Sequence, residues 1–159
     1  MRTFRYLALA VLAAALLATS ALAAPTKSVP FTGKYSGQAS TKVTDNVANI
    51  AANGTGSGSL IGAGKITGAG TGDSSVQPCV PFAGTGTITG KSGKITFKVP
   101  TGASGCGDEG GHVFSIRGYF QVLSATGKLA KAKGQLKFTG VYDRDGGTFS
   151  IKLAGTLKK

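Results

Sequence analysis

The sequence is poor in the residue types that most catalytic and metal sites use. Its 159 residues include one His, two Cys, six carboxylates and no Trp. One His and two Cys cannot supply the four protein ligands of a Cys/His zinc site, and six carboxylates are too few for an acid-dense calcium protein. No Ser-His-Asp pattern with informative spacing is present. We therefore expect no metal or other cofactor, and we favour a protein without catalytic activity.

Long apolar runs are also absent, except at the N-terminus. Arg2 and Arg5 precede an uninterrupted apolar run over residues 7–18, and Ala21 and Ala23 supply the small residues that signal peptidases require. The run would make only about 18 Å of helix, short of the roughly 30 Å that a membrane anchor needs. Residues 1–23 are predicted to be a secretory signal peptide, and residues 24–159 a single domain. We expect the protein to be secreted, periplasmic or attached to the cell envelope, with no transmembrane segment after cleavage.

Export gives the two cysteines a structural role. Cys79 and Cys106 form an even pair with no cysteine left over. Paired cysteines in an oxidising compartment are normally bonded. The sequence therefore predicts a Cys79–Cys106 disulfide.

The mature chain shows no extended helical periodicity and alternates with a period of two. Apolar or very small residues occupy every second position, with polar residues between them, in the segments 31–44, 134–142 and 148–157. This alternation is typical of antiparallel strands with one face on a core. About eight strands separated by short turns predict an all-β domain, an antiparallel small barrel, with a two-sheet β-sandwich as the alternative.

The sequence has 26 glycines, and those of the predicted strands follow the same alternation. They share the apolar face with Phe, Ile, Leu and Tyr, as a tightly curved wall requires. That placement favours a barrel filled by its own side chains. The stretch 54–72 has few large residues and is expected to be an edge strand or a mobile flap.

One loop concentrates the few ionisable groups. Asp108, Glu109 and His112 follow Cys106 closely, and Arg117 lies on the polar face of the next strand. A carboxylate beside an imidazole can transfer protons or hold a metal, so these four residues are the candidate catalytic residues. Adjacent residues of an extended chain point to opposite sides, which separates Asp108 from Glu109. We therefore favour a solvated polar loop at the barrel rim.

The net charge of +12 favours anionic partners. Lys128, Lys131, Lys133 and Lys137 form the densest basic group. For an exported protein, we expect the partner to be an anionic polymer of the cell envelope or matrix and not a nucleic acid. The alternative is that the lysines only maintain solubility and keep strand edges unpaired.

The segment 126–140 carries a family resemblance. Thr126-Gly127-Lys128-Leu129-Ala130-Lys131-Ala132-Lys133-Gly134, followed by Leu136-Lys137-Phe138-Thr139-Gly140, resembles the "TGKFAGATG" hairpin. That hairpin is found in allene-oxide-cyclase-like and dirigent-like barrels and in many secreted bacterial proteins. Leu129 and Lys131 stand where Phe and Gly are usual. The resemblance implies an eight-stranded barrel and places none of those families' functional residues on this chain.

Two functions follow as expectations. The first is a disulfide-bonded barrel that associates with the envelope or binds an anionic extracellular polymer. The alternative, implied by the resemblance, is a barrel that holds a small apolar ligand and has isomerase-like activity. A lumen filled by side chains favours the first function, whereas an apolar cavity of about 300 Å³ or more favours the second.

Overall fold

The structure is a closed antiparallel barrel of eight strands. A computed structural model describes residues 27–159; the predicted signal peptide lies outside them. The strands are β1 (Ser28–Thr44), β2 (Val47–Gly58), β3 (Gly62–Asp73), β4 (Cys79–Gly90), β5 (Gly93–Gly107), β6 (Val113–Ala125), β7 (Lys133–Asp143) and β8 (Thr148–Lys158). Each strand pairs with the next along the chain, and β8 closes the barrel against β1. The closed barrel confirms the predicted fold and excludes the two-sheet sandwich.

The β2–β3 region shows why the expectation of an edge strand or a mobile flap over residues 54–72 was wrong, since both strands are paired on both sides in the closed barrel. Gly54 faces Gly37 of β1, and Gly70 faces Gly84 of β4, in unbroken registers. A Cβ atom on Gly70 would lie 2.2 Å from the carbonyl oxygen of Ala83. Because such close approach is possible only without side chains, these glycines hold β2 and β3 tightly in the barrel wall.

One end of the barrel, which we term the closed end, is filled. It comprises Lys27, the turns 59–61 and 91–92, the connection 126–132 and Lys159. A single turn of 3₁₀ helix (Gly127–Leu129) lies in that connection. The largest fully buried side chains all lie at this end, namely Phe31, Ile61, Ile88, Ile95, Leu129, Leu136 and Leu157. They form a hydrophobic plug, to which the segment resembling the "TGKFAGATG" hairpin contributes Leu129.

Backbone hydrogen bonds join the turns of the closed end to one another. The Ser92 N–H donates to Ile61 O at 3.2 Å, and the Lys128 N–H donates to Ser92 O at 2.9 Å. Lys27 and Lys159 bond each other through both of their backbone groups, at 3.0 and 2.9 Å. The closed end is therefore a continuous hydrogen-bonded cap.

The opposite end, which we term the mouth, is framed by the turn 45–46 and the loops 74–78, 108–112 and 144–147. The Ser74 N–H donates to Asn46 O, and the Arg144 N–H donates to His112 O, both at 2.9 Å. These bonds tie the four connections together in two pairs. Cys79 and Cys106 stand directly opposite each other at this end, and the predicted disulfide joins them.

No helix among residues 27–159 has the length and apolar character needed to cross a membrane.

Candidate functional site

The lumen is hollow on the mouth side. A cavity of about 260 Å³ occupies it, in contrast to the barrel filled throughout that the glycine pattern favoured. The volume is a little below the 300 Å³ expected of a ligand-holding lumen and well above that of a packing defect. Its lining includes Val43, Ser74 and Arg144 at the mouth and none of the plug residues, so the cavity lies on the mouth side of the plug and opens towards the mouth.

Small inward residues create the cavity. Ala39 of β1 faces Ala52 of β2 in the register, and Gly68 of β3 faces Gly86 of β4. Ala39, Ala52 and Gly68 line the cavity, and Gly84 lines it beside them. Where a wall carries only backbone or methyl groups, the opposite side chains do not reach far enough to fill the centre of an eight-stranded barrel.

Aromatic rings form the inner end of the cavity. The rings of Phe97 and Phe120 stack with centroids 3.9 Å apart and planes within 6°. Phe138 packs against Phe120 at 4.9 Å. All three rings line the cavity, so a bound molecule would meet an aromatic floor that favours flat, apolar groups.

The mouth adds one charged group to this apolar lining. The Arg144 guanidinium lies over the Phe114 ring, 5.9 Å from its centroid, and Arg144 lines the cavity. Around it the rim exposes the side chains of Val43, Val47, Val76 and Val113, each by at least 40%. The mouth therefore combines exposed valines with the charged side chains of its loops.

Three of the four candidate catalytic residues lie in the loop 108–112 at the rim, and the fourth, Arg117, lies on the outer wall. The Asp108 Oδ1 accepts the backbone N–H of His112 at 2.7 Å, which lowers the pKa of the Asp108 carboxyl. The His112 ring instead bonds Asp145, with Nδ1 and Oδ2 2.6 Å apart. Glu109 is exposed, and Arg117 lies on the outer wall opposite Ser104 and Thr139. None of these residues is among those that line the cavity.

The His112–Asp145 pair was not foreseen in the sequence. The two residues are 33 positions apart and join loops on either side of the β6–β7 pair. The predicted barrel topology could have indicated this pair, because in an up-and-down barrel every second loop lies at the same end, which brings the loops 108–112 and 144–147 together. Both side chains are more than half exposed, at 57% and 61%. Within residues 27–159 no three His, Cys, Asp or Glu side chains are grouped closely enough to hold a metal.

The lysine group of residues 128–137 divides between two surfaces. Lys128, Lys131 and Lys133 lie at the closed end, whereas Lys137 lies on the outer wall, opposite Tyr119 and Ala154. All four side chains are exposed.

A second depression lies on the outer wall between β1, β7 and β8. Its lining mixes polar side chains such as Gln38 and Asp143 with Phe149. It opens broadly to solvent and does not enclose a ligand. The lumen is therefore the site with the geometry of a binding pocket.

Comparisons of the chain with known protein families, with curated proteins and with solved structures gave no match.

Proposed function

We propose that this barrel binds a small, flat, apolar molecule in its lumen. The observation that carries the proposal is the apolar cavity of about 260 Å³, which has an aromatic floor and opens towards the mouth. Ligand sites are typically concave and apolar, with few polar groups. Burial of a ligand's apolar surface supplies roughly 25 cal/mol for each Å² removed from water.

The volume limits the size of the ligand. An engineered cavity of about 150 Å³ accepts benzene. By proportion, a cavity of 260 Å³ holds roughly ten to twelve non-hydrogen atoms, the size of a two-ring aromatic compound or a short terpenoid. Naphthalene is therefore a suitable probe.

Export to an oxidising compartment belongs to the same proposal. The Cys79–Cys106 disulfide supports it, because such bonds persist mainly outside the cytosol. In that setting the protein would carry or sequester a molecule that dissolves poorly in water. The disulfide fixes β4 to β5 at the mouth, beside the entrance.

The experiment fills the lumen without changing the outer surface. Ala52 faces the cavity, and its neighbour Ala51 faces solvent. We expect naphthalene to raise the Tm of the wild-type protein and of Ala51→Leu, because a ligand that binds only the folded state stabilises it. In Ala52→Leu the added side chain occupies the site, and the affinity should fall at least tenfold.

A second cavity-filling variant keeps the proposal testable if Ala52→Leu does not fold. A Cβ on Gly68 would meet only Thr85 O, at an ordinary 3.4 Å, so we expect Gly68→Val to fold. Its side chain would narrow the cavity from β3, next to Ala52, with which Gly68 pairs. It should also weaken naphthalene binding. Failure of the wild-type protein to bind aromatic probes from benzene to biphenyl would refute the proposal, as would equal binding by all three variants.

A further inference from the structure

The acidic side chains and a group of eight lysines lie at opposite ends of the barrel. All six carboxylates of the chain lie in the mouth loops or within two residues of them: Asp45, Asp73, Asp108, Glu109, Asp143 and Asp145. Eight lysines lie in the turns of the closed end or within two residues of its strand ends: Lys27, Lys91, Lys94, Lys128, Lys131, Lys133, Lys158 and Lys159. The closed end therefore carries eight lysine charges and no acidic side chain to offset them.

This concentration is unfavourable for the fold itself. Lys133 of β7 stands directly opposite Lys158 of β8. Like charges at directly opposed positions destabilise a sheet. In the part of the chain that the structure describes, no lysine or arginine nitrogen lies within 4.0 Å of a carboxylate oxygen, so no ion pair offsets this charge. Solubility requires net charge but does not require all the acidic side chains to lie at one end.

We propose that the closed end docks onto a linear anionic polymer, such as an acidic polysaccharide. The charge complementarity is direct, since a polyanion brings many negative groups to a surface that has no acidic side chain. All eight basic residues are lysines. An ammonium group acts as a point charge and lacks the bidentate geometry of arginine, so the surface fits a repeated charge better than one specific anionic group.

The surface chemistry favours a soluble polymer over a lipid bilayer. Surfaces that lie in a bilayer combine basic residues with large apolar side chains that insert among the lipids. The exposed valines of this barrel surround the mouth, at the opposite end. Among the described residues near the closed end, the exposed large apolar side chain is that of Leu123. The carbonyl oxygen of Leu123 accepts a hydrogen bond from the Lys133 ammonium group. The closed end thus has many charged side chains and few exposed apolar side chains that could insert into a bilayer.

The arrangement keeps the two sites apart. A polymer bound at the closed end leaves the mouth, at the other end of the barrel, open to ligand. The docking surface does not depend on the proposed lumen ligand, and either proposal can fail alone.

The test compares two quadruple variants of equal charge. The first, Lys91→Gln/Lys128→Gln/Lys131→Gln/Lys158→Gln, neutralises the closed end. The matched control, Lys34→Gln/Lys65→Gln/Lys98→Gln/Lys137→Gln, neutralises four exposed lysines of the outer wall. Each retains the hydrogen bonds of Lys133 and Lys159. The probes are alginate, which carries carboxylates, and dextran sulfate.

We expect the closed-end variant to bind both polymers about tenfold more weakly than the wild-type protein, since four exposed charge contacts are lost. The wall variant should lose less than twofold. Binding by the wild-type protein should weaken steeply as salt rises from low to physiological concentration. If both proposals hold, naphthalene should still raise the Tm of the polymer-bound protein. If it does not, the result contradicts only the proposal that the lumen binds an apolar ligand.

Three results would overturn the docking proposal. Equal losses in the two variants would show that net charge alone matters. If the wild-type protein binds neither polymer at low salt, linear anionic polymers are excluded as its partner. Binding to vesicles of phosphatidylglycerol and phosphatidylcholine, without binding to the soluble polymers, would assign the surface to a membrane.

Discussion

Tyr35 introduces a polar atom into the apolar packing of the barrel. Its side chain is 3% exposed, and its hydroxyl finds no hydrogen-bond partner within the described residues. A Cβ on Gly58 would lie 3.1 Å from that hydroxyl, which locates it towards the closed end. Burial also raises the pKa of Tyr35 from 10.0 to about 12, because the charged phenolate is disfavoured in an apolar site.

We expect Tyr35→Phe to stabilise the protein by about 1 kcal/mol, because an unsatisfied buried hydroxyl is unfavourable. The unfolded chain releases the tyrosine proton near pH 10, whereas the folded protein retains it to about pH 12. The stability of the wild-type protein should therefore fall as pH rises between these values, and the variant should lack that component. Urea unfolding between pH 8 and 12 measures both effects.

Tyr119→Phe is the matched control, since Tyr119 is 49% exposed. It should change stability by less than about 0.5 kcal/mol, as is usual for a surface substitution. A loss of stability in Tyr35→Phe would indicate a bound water or another partner for the hydroxyl.

At the scale of one element, β3 carries glycines with different constraints on the same inward face. A Cβ on Gly70 would lie 2.2 Å from Ala83 O, whereas one on Gly68 would lie 3.4 Å from Thr85 O. We expect Gly70→Ala to destabilise the protein by about 2 kcal/mol or more, because the backbones of β3 and β4 must move apart. Gly68→Ala should be neutral or stabilising by about 0.5 kcal/mol, since alanine restricts the unfolded chain more than glycine does.

The midpoints of urea unfolding for the two variants test this contrast directly. Equal destabilisation would mean that the glycines of β3 matter only for their conformational freedom and not for the close approach of β4.

The same strand shows how far the sequence predicted the fold. Alternation identified strands wherever large side chains mark one face, as in β1, β7 and β8. The glycine-rich β3 carries one large inward side chain, Ile66, and its pairing depends mainly on backbone contacts with β4 that only the register defines. The cavity has the same origin, since it forms where Ala39, Ala52 and Gly68 come together from three strands. The disulfide was predictable from composition, whereas the His112–Asp145 pair required knowledge of which loops are neighbours.

At the scale of the whole molecule, the barrel is packed at one end and hollow at the other. Stability should therefore be graded along the barrel axis, because regions with few buried contacts open locally at lower free energy. We expect amides near Ile88, Ile95 and Leu136 to exchange with solvent only on global unfolding. Amides of β2 and β3 near the mouth should exchange at least tenfold faster. Hydrogen exchange followed by NMR or mass spectrometry measures the gradient.

The Cys79–Cys106 disulfide provides an internal reference for that gradient. It holds β4 to β5 at the mouth, so amides beside it should exchange more slowly than those of β2 and β3 at the same height. Uniform protection from mouth to closed end would show that the cavity has no effect on local stability.

The bonds between Lys27 and Lys159 bring the two ends of the described chain together. Each strand also neighbours only those that precede and follow it, counting β8 as the predecessor of β1. The connectivity is therefore that of a ring, in which no strand is topologically first. A chain joined across Lys159 and Lys27 and cut at a different turn would retain all eight strand pairs. For a circular permutant of this barrel, the choice of cut decides only whether the new ends lie at the mouth or at the closed end.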